Sequence, residues 1–404
     1  MAKKTEKLHF AKVERFNRPL ASFNEKLQGK YVKSGNDNQF PYYLINLYNR
    51  SSIHAACVDS IVHSVIGQGL TANEEAFLET ANKKGETWND IFKKVSLDYK
   101  LHGSFALEIL WSRDRTRIAE AYHIDFSTIR AKEKDHRGVI PGYYISNEWR
   151  NSFIQVTDDN ALYLPVFNKE KAIDEPSQIF VVHNYRPGQQ YYPLPDYNGA
   201  LRTIELDVEI DNFHVNNIKN GLAPSLAITT FTNGSTDDVT AIENMLHANY
   251  GGTDNAGSLI YMDVDSPENK PDITPIPQNG ADKYYETVND MSVQQILTAH
   301  RITSPMLLGI KTEGQLGGRS ELIDAKILFN FNVIEPMQQE ILRQLEGILQ
   351  VNYPEIVLGV DTKNLYEDGE VVDEVVTSVE VTDDEAEEVD EQDTTNVEDM
   401  PEIS

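Results

Sequence analysis

Apolar positions along this chain follow two different periods, and the switches between them mark out its elements. From Pro41 to Gly67, Leu44, Leu47, Ile53, Ala56, Val58, Ile61, Val62 and Val65 recur at the spacing that keeps one helical face dry, and Gly67-Gln68-Gly69 stops the helix. Trp88 to His102 repeats that period through Ile91, Phe92, Val95, Leu97 and Tyr99. At Gly103 the period changes: Phe105, Leu107, Ile109 and Trp111 alternate, as a half-buried strand over Ser104 to Trp111 requires. Shorter strand-like pieces follow at Tyr122 to Ile124, Gly142 to Ser146, Leu162 to Val166 and Ile179 to His183. The fold class predicted for this half is α+β, a mixed arrangement of helices and strands.

Residues 184 to 199 are rich in turn formers, and a helix is predicted from Ala200 to Lys219, closed by Asn220-Gly221 and Pro224. At about 100° per residue its apolar positions fall into two stripes. Leu201, Ile204, Val208 and Val215 lie on one side, and Leu206, Ile210 and Phe213 lie nearly opposite. Two polar faces separate them, one with Arg202, Glu205, Glu209, Asn212 and Asn216, the other with Thr203, Asp207, Asp211 and His214. Two arrangements satisfy such a helix: a place among copies of itself, each stripe packing a neighbour, or a central place within one domain.

Beyond it the pattern reads β-α-β, with strands at Ser225 to Phe231 and Ser258 to Val264 around a helix from Asp237 to Tyr250. A helix from Asp282 to Arg301 follows, ending at Ser304-Pro305. The stretch Met306 to Ser320 holds Gly309, Gly314, Gly317 and Gly318 and reads as a loop able to move. A long apolar helix is predicted from Glu321 to Val351, kinked at Pro336.

Charge sharpens this picture at the two ends. The net charge of -28 over 404 residues is concentrated late: from Glu355 onward Lys363 is the only base. The first 33 residues are instead basic, with nine Lys or Arg against Glu6, Glu14 and Glu25. The basic end is expected to be an extended, peripheral arm, either touching nucleic acid or an acidic partner or simply solvated. The tail after Asp361 cannot bury enough apolar area to offset its ordering entropy, and disorder is expected there. No run approaches the roughly 20 apolar residues that cross a bilayer. The single cysteine, Cys57, sits among apolar neighbours as a buried small hydrophobe, which excludes an internal disulfide and a cysteine-based zinc site.

Catalytic patterns are missing. Gly314 to Ser320 has the wrong spacing for a phosphate loop and Arg319 where that motif needs lysine. The ten histidines are scattered, and Asp207 with Asp211 reads as solvated surface. No cofactor and no metal are expected, and the chain reads as a structural protein rather than an enzyme. A weaker alternative is a metal-dependent nuclease assembled from Glu108, Asp125 and Lys132.

Five stretches carry a resemblance to a known family. They are Tyr48-Asn49-Arg50 leading into Ile53 to Leu70, then Leu101-His102-Gly103-Ser104-Phe105-Ala106-Leu107-Glu108-Ile109, then Asn220-Gly221-Leu222-Ala223-Pro224-Ser225. Tyr250 to Gly257 and Ala299 to Ile310 complete the series. Taken in order, over residues 40 to 350, they resemble the portal proteins of tailed bacteriophages, the HK97-type portal family.

The resemblance implies a subdivision: a basic arm at 1–39, a wing at 40–199, stem helices at 200–220 and 281–302, and a clip at 221–280 between them. A tunnel loop at 303–320, a long helix toward a crown at 321–360 and an acidic tail at 361–404 would follow. It also implies a ring, usually a dodecamer, at one capsid vertex of the virion, assembled in the host cytoplasm. Expected partners are further copies of the chain, double-stranded DNA passing through the channel, the terminase large subunit, a head-tail adaptor, and the major capsid or scaffolding protein. On this reading Lys311 and Arg319 touch DNA, Glu205, Glu209, Asn212 and Asn216 form a polar stem face, and the two apolar stripes pack neighbouring subunits. Another head-tail connector or a minor capsid protein is the nearest alternative.

Overall fold

The computed structural model describes residues 25–150, 160–219, 226–230, 259–263, 281–310, 319–362, 366–367 and 370–371. The predicted helix at Asp237 to Tyr250, Lys311, residues 1–24 and most of the acidic tail lie outside the described residues. Two compact units divide the chain, 1–362 and 363–404. The second contributes a short antiparallel pairing of Tyr366–Glu367 with Glu370–Val371.

The first unit opens with a hairpin, β1 (Leu27–Gln28) and β2 (Tyr31–Val32). This corrects the expectation of a peripheral arm for residues 25–39, because Tyr31 and Val32 are buried. The Glu25 carboxylate accepts hydrogen bonds from the backbone N–H groups of Gln190, Tyr191 and Tyr192, which fixes the segment to the turn-rich connector.

Helices α1 (Phe40–Arg50) and α2 (Ser52–Ile66) replace the single helix predicted there. Ser51 is extended between them, and its hydroxyl accepts from the His54 N–H, so it caps α2. The end of α2 was foreseen at Gly67, whose φ of 57° favours glycine, but the reason was not. A Cβ at Gly67 would collide with the Asp361 carbonyl, because β12 (Leu358–Asp361) returns from the other end of the unit to pair antiparallel with β3 (Gly69–Ala72).

Helix α3 (Trp88–His102) and strand β4 (Ser104–Trp111) have the predicted bounds. A capping box starts α3, with the Thr87 hydroxyl accepting from the Asp90 N–H and the Asp90 carboxylate accepting from the Thr87 N–H. Strand β4 is central between β5 (Ile118–Ile124) and β9 (Ser177–His183), both antiparallel to it. A second antiparallel sheet joins β6 (Ile129–Ala131), β7 (Gly142–Ile145) and β8 (Leu162–Pro165).

The main core gathers α1, α2, α3 and one face of the first sheet around Leu44, Cys57, Ile61, Ile91, Phe92, Phe105 and Leu107. Cys57 is fully buried there, and burial pushes its thiol up to about 12. A smaller core between the sheets contains Val32, Phe126, Ile129, Tyr143 and Leu164.

Helix α4 (Leu201–Lys219) leads away toward β10 (Leu226–Thr230) and β11 (Leu259–Asp263), and α5 (Ala281–Ala299) brings the chain back. The two strands pair in parallel, which demands a crossover by the segment between them. Next, α6 (Arg319–Phe329) passes through a π-helical turn, Asn330–Ile334, into α7 (Glu335–Leu349). Here Pro336 acts one step earlier than a simple kink would: it offers no N–H to the Asn332 carbonyl, and the ladder widens in the preceding turn so that Glu335 N–H reaches Asn330. Beyond Gln350 the chain turns at Asn352-Tyr353-Pro354 and enters β12, which corrects the expectation of a helix continuing through 360. Among the described residues no helix is long and apolar enough to cross a membrane.

Candidate functional site

The two-striped helix α4 meets its own fold first. Leu201, Ile204 and Val208 belong to the main core together with Ile296 and Leu297 of α5, and Ile210 is buried as well. These four were expected to pack against neighbouring subunits; the structure instead covers them within one chain. Of that set Leu206 and Val215 stay open, 42% and 47% exposed. The side chains of Phe213 and Asn216 lie outside the described residues.

Its polar positions are redistributed too. Glu205, expected on a solvated face, is buried, and the Tyr43 hydroxyl donates to its Oε2 at 3.4 Å. Asp207, read from the sequence as surface, is also buried and accepts from the Ser51 hydroxyl at 2.7 Å. Burial raises the Asp207 pKa, the Ser51 hydrogen bond opposes this, and Asp211 adds to the rise. Asn212 accepts from the Arg50 guanidinium at 2.9 Å. Two of the three partners, Arg50 and Ser51, sit at the junction of α1 and α2, and Tyr43 lies in the first turn of α1, so both the Ser51 break and the α1 face shape the surface on which α4 rests. The outward face of the first turns is left to Arg202, Leu206 and Glu209.

Farther along, burial ends. Asp211, His214 and Val215 are all exposed, although Asp211 and Val215 continue the side that buries Ile204 and Val208 lower down. The end of α5 mirrors this: Ser292, Ile296 and Leu297 are buried, while Thr287, Asp290 and Met291 are exposed, Met291 at 55%. Thr203 near the start of α4 donates to Gln295 near the end of α5 at 3.0 Å. Thus α4 and α5 are rooted together in the core and project beyond it.

Their root is a buried polar junction. His54 Nδ1 and His300 Nε2 lie 2.9 Å apart, linking α2 to the residue just after α5. Tyr197 packs on both rings, and its hydroxyl donates to the Leu101 carbonyl. Lys100, itself buried, donates to both Asp196 oxygens at 2.8 and 2.9 Å. Burial, reinforced by the Lys100 charge, lowers His54 to about 3 and His300 well below its ordinary value, so the pair is neutral. One imidazole therefore donates and the other accepts. Sequence reasoning passed over this junction because its members lie on four separate segments.

The segment α6 to the π-turn carries an apolar face that the rest of the described chain leaves open. Ile327, Leu328 and Phe331 are 60%, 53% and 68% exposed, spaced i, i+1 and i+4, while the neighbouring Phe329, Val333 and Ile334 are buried. Some exposed apolar residues elsewhere, such as Val139 and Ile173, stand alone in loops. The Thr303 hydroxyl donates to the Ala325 carbonyl and ties the turn after α5 to α6. Arg319 opens α6, but its side chain, like all of Lys311, lies outside the described residues. Glu108, Asp125 and Lys132 have separate partners: Ser177 donates to Glu108, Asp125 caps a turn, and Lys132 lies over Tyr163.

Comparison with known proteins gives this architecture its context. A family model described as "Phage portal protein" matches residues 71–368. A curated relative, described as "Probable portal protein" of Haemophilus phage HP1 (strain HP1c1), is 24% identical over 186 residues, 44% of this chain. That match spans 52% of the relative, so the chain covers about half of its length. Among solved structures, a chain in the neck of an empty gene transfer agent (GTA) particle, computed with C6 symmetry, aligns with a TM-score of 0.55 at 15% identity. The alignment covers 84% of this chain and 87% of that one. A chain in the neck of the native GTA particle, computed with C12 symmetry, aligns at 0.51, again at 15% identity, over 79% and 83% of the two chains. At these identities the likeness is one of fold.

Proposed function

Because this chain belongs to the phage portal protein family, we propose that it forms a homo-oligomeric ring at one vertex of a virion and serves as the conduit for DNA entering and leaving the capsid. Twelve copies are the expected number, in line with the C12 symmetry of the GTA neck that contains a chain of similar fold. The observation that carries the reading is the pair α4 and α5, rooted in the core and exposed at their far ends, beside the open apolar face of Ile327, Leu328 and Phe331. In a ring, α4 and α5 are the stem, 221–280 the clip at its end, and the α6 face meets the next subunit. Leu206 and Val215, rather than the buried Leu201, Ile204, Val208 and Ile210, are the exposed apolar residues among those described on α4 and the ones proposed to touch a neighbour.

A channel must pass a polyanion without holding it. The exposed acids of α4, Glu209 and Asp211, keep phosphates off the wall within a Debye length of about 10 Å. Lys311 and Arg319, beside the glycine-rich loop, make the few transient phosphate contacts. With no phosphate-loop motif in the sequence, packaging energy comes from the terminase large subunit, which docks at the clip and is later replaced by the head-tail adaptor. Contacts with the major capsid or scaffolding protein belong to the wing.

Negative-stain microscopy of the purified chain should show rings with a central hole and about twelve-fold class averages. A lone monomer at every concentration would overturn the ring. For the loop, Lys311→Glu combined with Arg319→Glu should lower DNA retention in assembled particles, and unchanged packaging and retention would remove its role.

A further inference from the structure

We propose that Asp98, His102 and Asp125 bind a single divalent transition-metal ion, zinc being the best match, which staples the end of α3 to the end of β5. Asp98 and His102 are one helical turn apart on α3, so both project from the same face. Asp125 follows the last residue of β5. The three residues offer ligand atoms that all lie within 4.8 Å of one another. A tetrahedral zinc with bonds of about 2.0–2.2 Å holds its donors roughly 3.4 Å apart, inside the 4.8 Å limit within which these ligand atoms lie.

A second observation is independent of that proximity. His102 is only 3% exposed, and its Nδ1 is buried without a hydrogen-bond partner among the described residues. Buried ring nitrogens are normally satisfied, and an imidazole beside two carboxylates is a ligand set that a metal uses.

The surroundings are those of a built site. Asp98 Oδ2 accepts from His123 Nε2 at 2.9 Å and from the Phe126 N–H at 3.1 Å, which orients the carboxylate and leaves Oδ1 for an ion. Asp125 Oδ1 accepts from the Ser127 N–H at 2.8 Å, leaving Oδ2. His123 is thus a positioning residue for Asp98, in the manner of a second coordination shell. Nitrogen and oxygen donors in this mixture favour zinc over calcium or magnesium, which take oxygen ligands. The exposed side of Asp125 gives the ion a way in. Sequence inspection missed the set because D-x-x-x-H on a helix and H-x-D at a strand end are each too common to stand out alone.

The test uses the full chain, stripped with chelator and titrated with zinc chloride by calorimetry, and with cobalt chloride as an optical probe. One equivalent per chain is expected, with visible cobalt absorption of low-coordinate N/O ligation and a zinc-dependent rise in melting temperature. His102→Ala and Asp125→Asn should each weaken zinc binding at least tenfold. His123→Ala should weaken it by about 10–100-fold, the range for lost outer-shell support. The exposed His63 serves as control, and His63→Ala should bind as the parent does. Asp125→Asn keeps the acceptor for Ser127 and is not expected to unfold, so it decides the matter if His102→Ala does. No zinc bound at micromolar concentration, or equal affinity in the parent and Asp125→Asn, overturns the site.

Discussion

Replacing Phe331 by aspartate separates assembly from folding, because the proposed ring would place on Phe331 a burden that the single chain does not. The side chain is 68% exposed in the chain alone. Fully burying a phenylalanine is worth about 1.5–3 kcal/mol, so a neighbour covering the exposed two thirds gains roughly 1–2 kcal/mol per contact. Aspartate forfeits this and adds a desolvated carboxylate, whose uncompensated burial costs a further ~2 kcal/mol or more. A total near 3–4 kcal/mol per interface corresponds to a loss of about 100-fold or more in each pairwise association constant. The isolated subunit, by contrast, loses only an exposed position and should change by no more than ~0.5 kcal/mol. Sedimentation velocity across a concentration series, with urea unfolding of the dissociated chain in parallel, reads both quantities. Phe331→Asp should sediment as subunits where the parent is a ring, with an unchanged urea midpoint, while Ile173→Asp, at a lone exposed position, should still assemble. Rings of Phe331→Asp and Ile327→Asp at parental yield and concentration would refute the assignment of the α6 face.

Further outcomes follow from the core. Ser51→Ala removes both the α2 cap and the donor to Asp207; the cap is worth ~0.5–2 kcal/mol and a stranded buried acceptor ~1–3 kcal/mol, so chemical denaturation should show a loss of about 2–4 kcal/mol that Ser51→Thr largely restores. Gly103→Ala combines a φ of 74° with a Cβ 2.6 Å from the Leu194 carbonyl oxygen, and should cost more than ~1 kcal/mol in the same assay; an unchanged midpoint would mean that this turn is looser than its geometry. Acid sensitivity should trace to the buried imidazoles. His54 has a folded pKa of about 3 against about 6.5 unfolded, so the native state binds fewer protons and stability falls as pH drops below about 6.5, by up to ~1.4 kcal/mol per pH unit, until the folded value is reached. With Lys100, Asp196 and Tyr197 around the pair left intact, His54→Gln should flatten the acid limb of the urea midpoint between about pH 6 and pH 4, and an unaltered limb would place the titrating groups elsewhere.

What the sequence disclosed and what it withheld divide along one physical line, the range of the interaction. Helix α3 and strand β4 were legible to the residue because their boundaries are set by neighbours: Thr87 and Asp90 cap one end, Gly103 turns left-handed at the other, and the apolar period changes there. The bounds of α4 were legible for the same reason. Its orientation was not. Periodicity reports that a face is apolar or polar, but not what covers it, and the partners of Glu205 and Asp207 are Tyr43 and Ser51, 162 and 156 residues away. A hydroxyl facing a carboxylate lets an acid be buried at small cost, so a helical wheel that sends every acid outward fails wherever such a partner waits on another element. Gly67 makes the same point in backbone terms: its presence was visible as a stop, but the need for a missing Cβ arises from a strand some 290 residues later that is itself only four residues long. The exposed Ile327, Leu328 and Phe331 are the complementary case. Their apolar character belongs to an ordinary helical pattern, and only a fold that covers Phe329, Val333 and Ile334 with its own core while leaving these three uncovered marks them out as the face proposed to meet another copy.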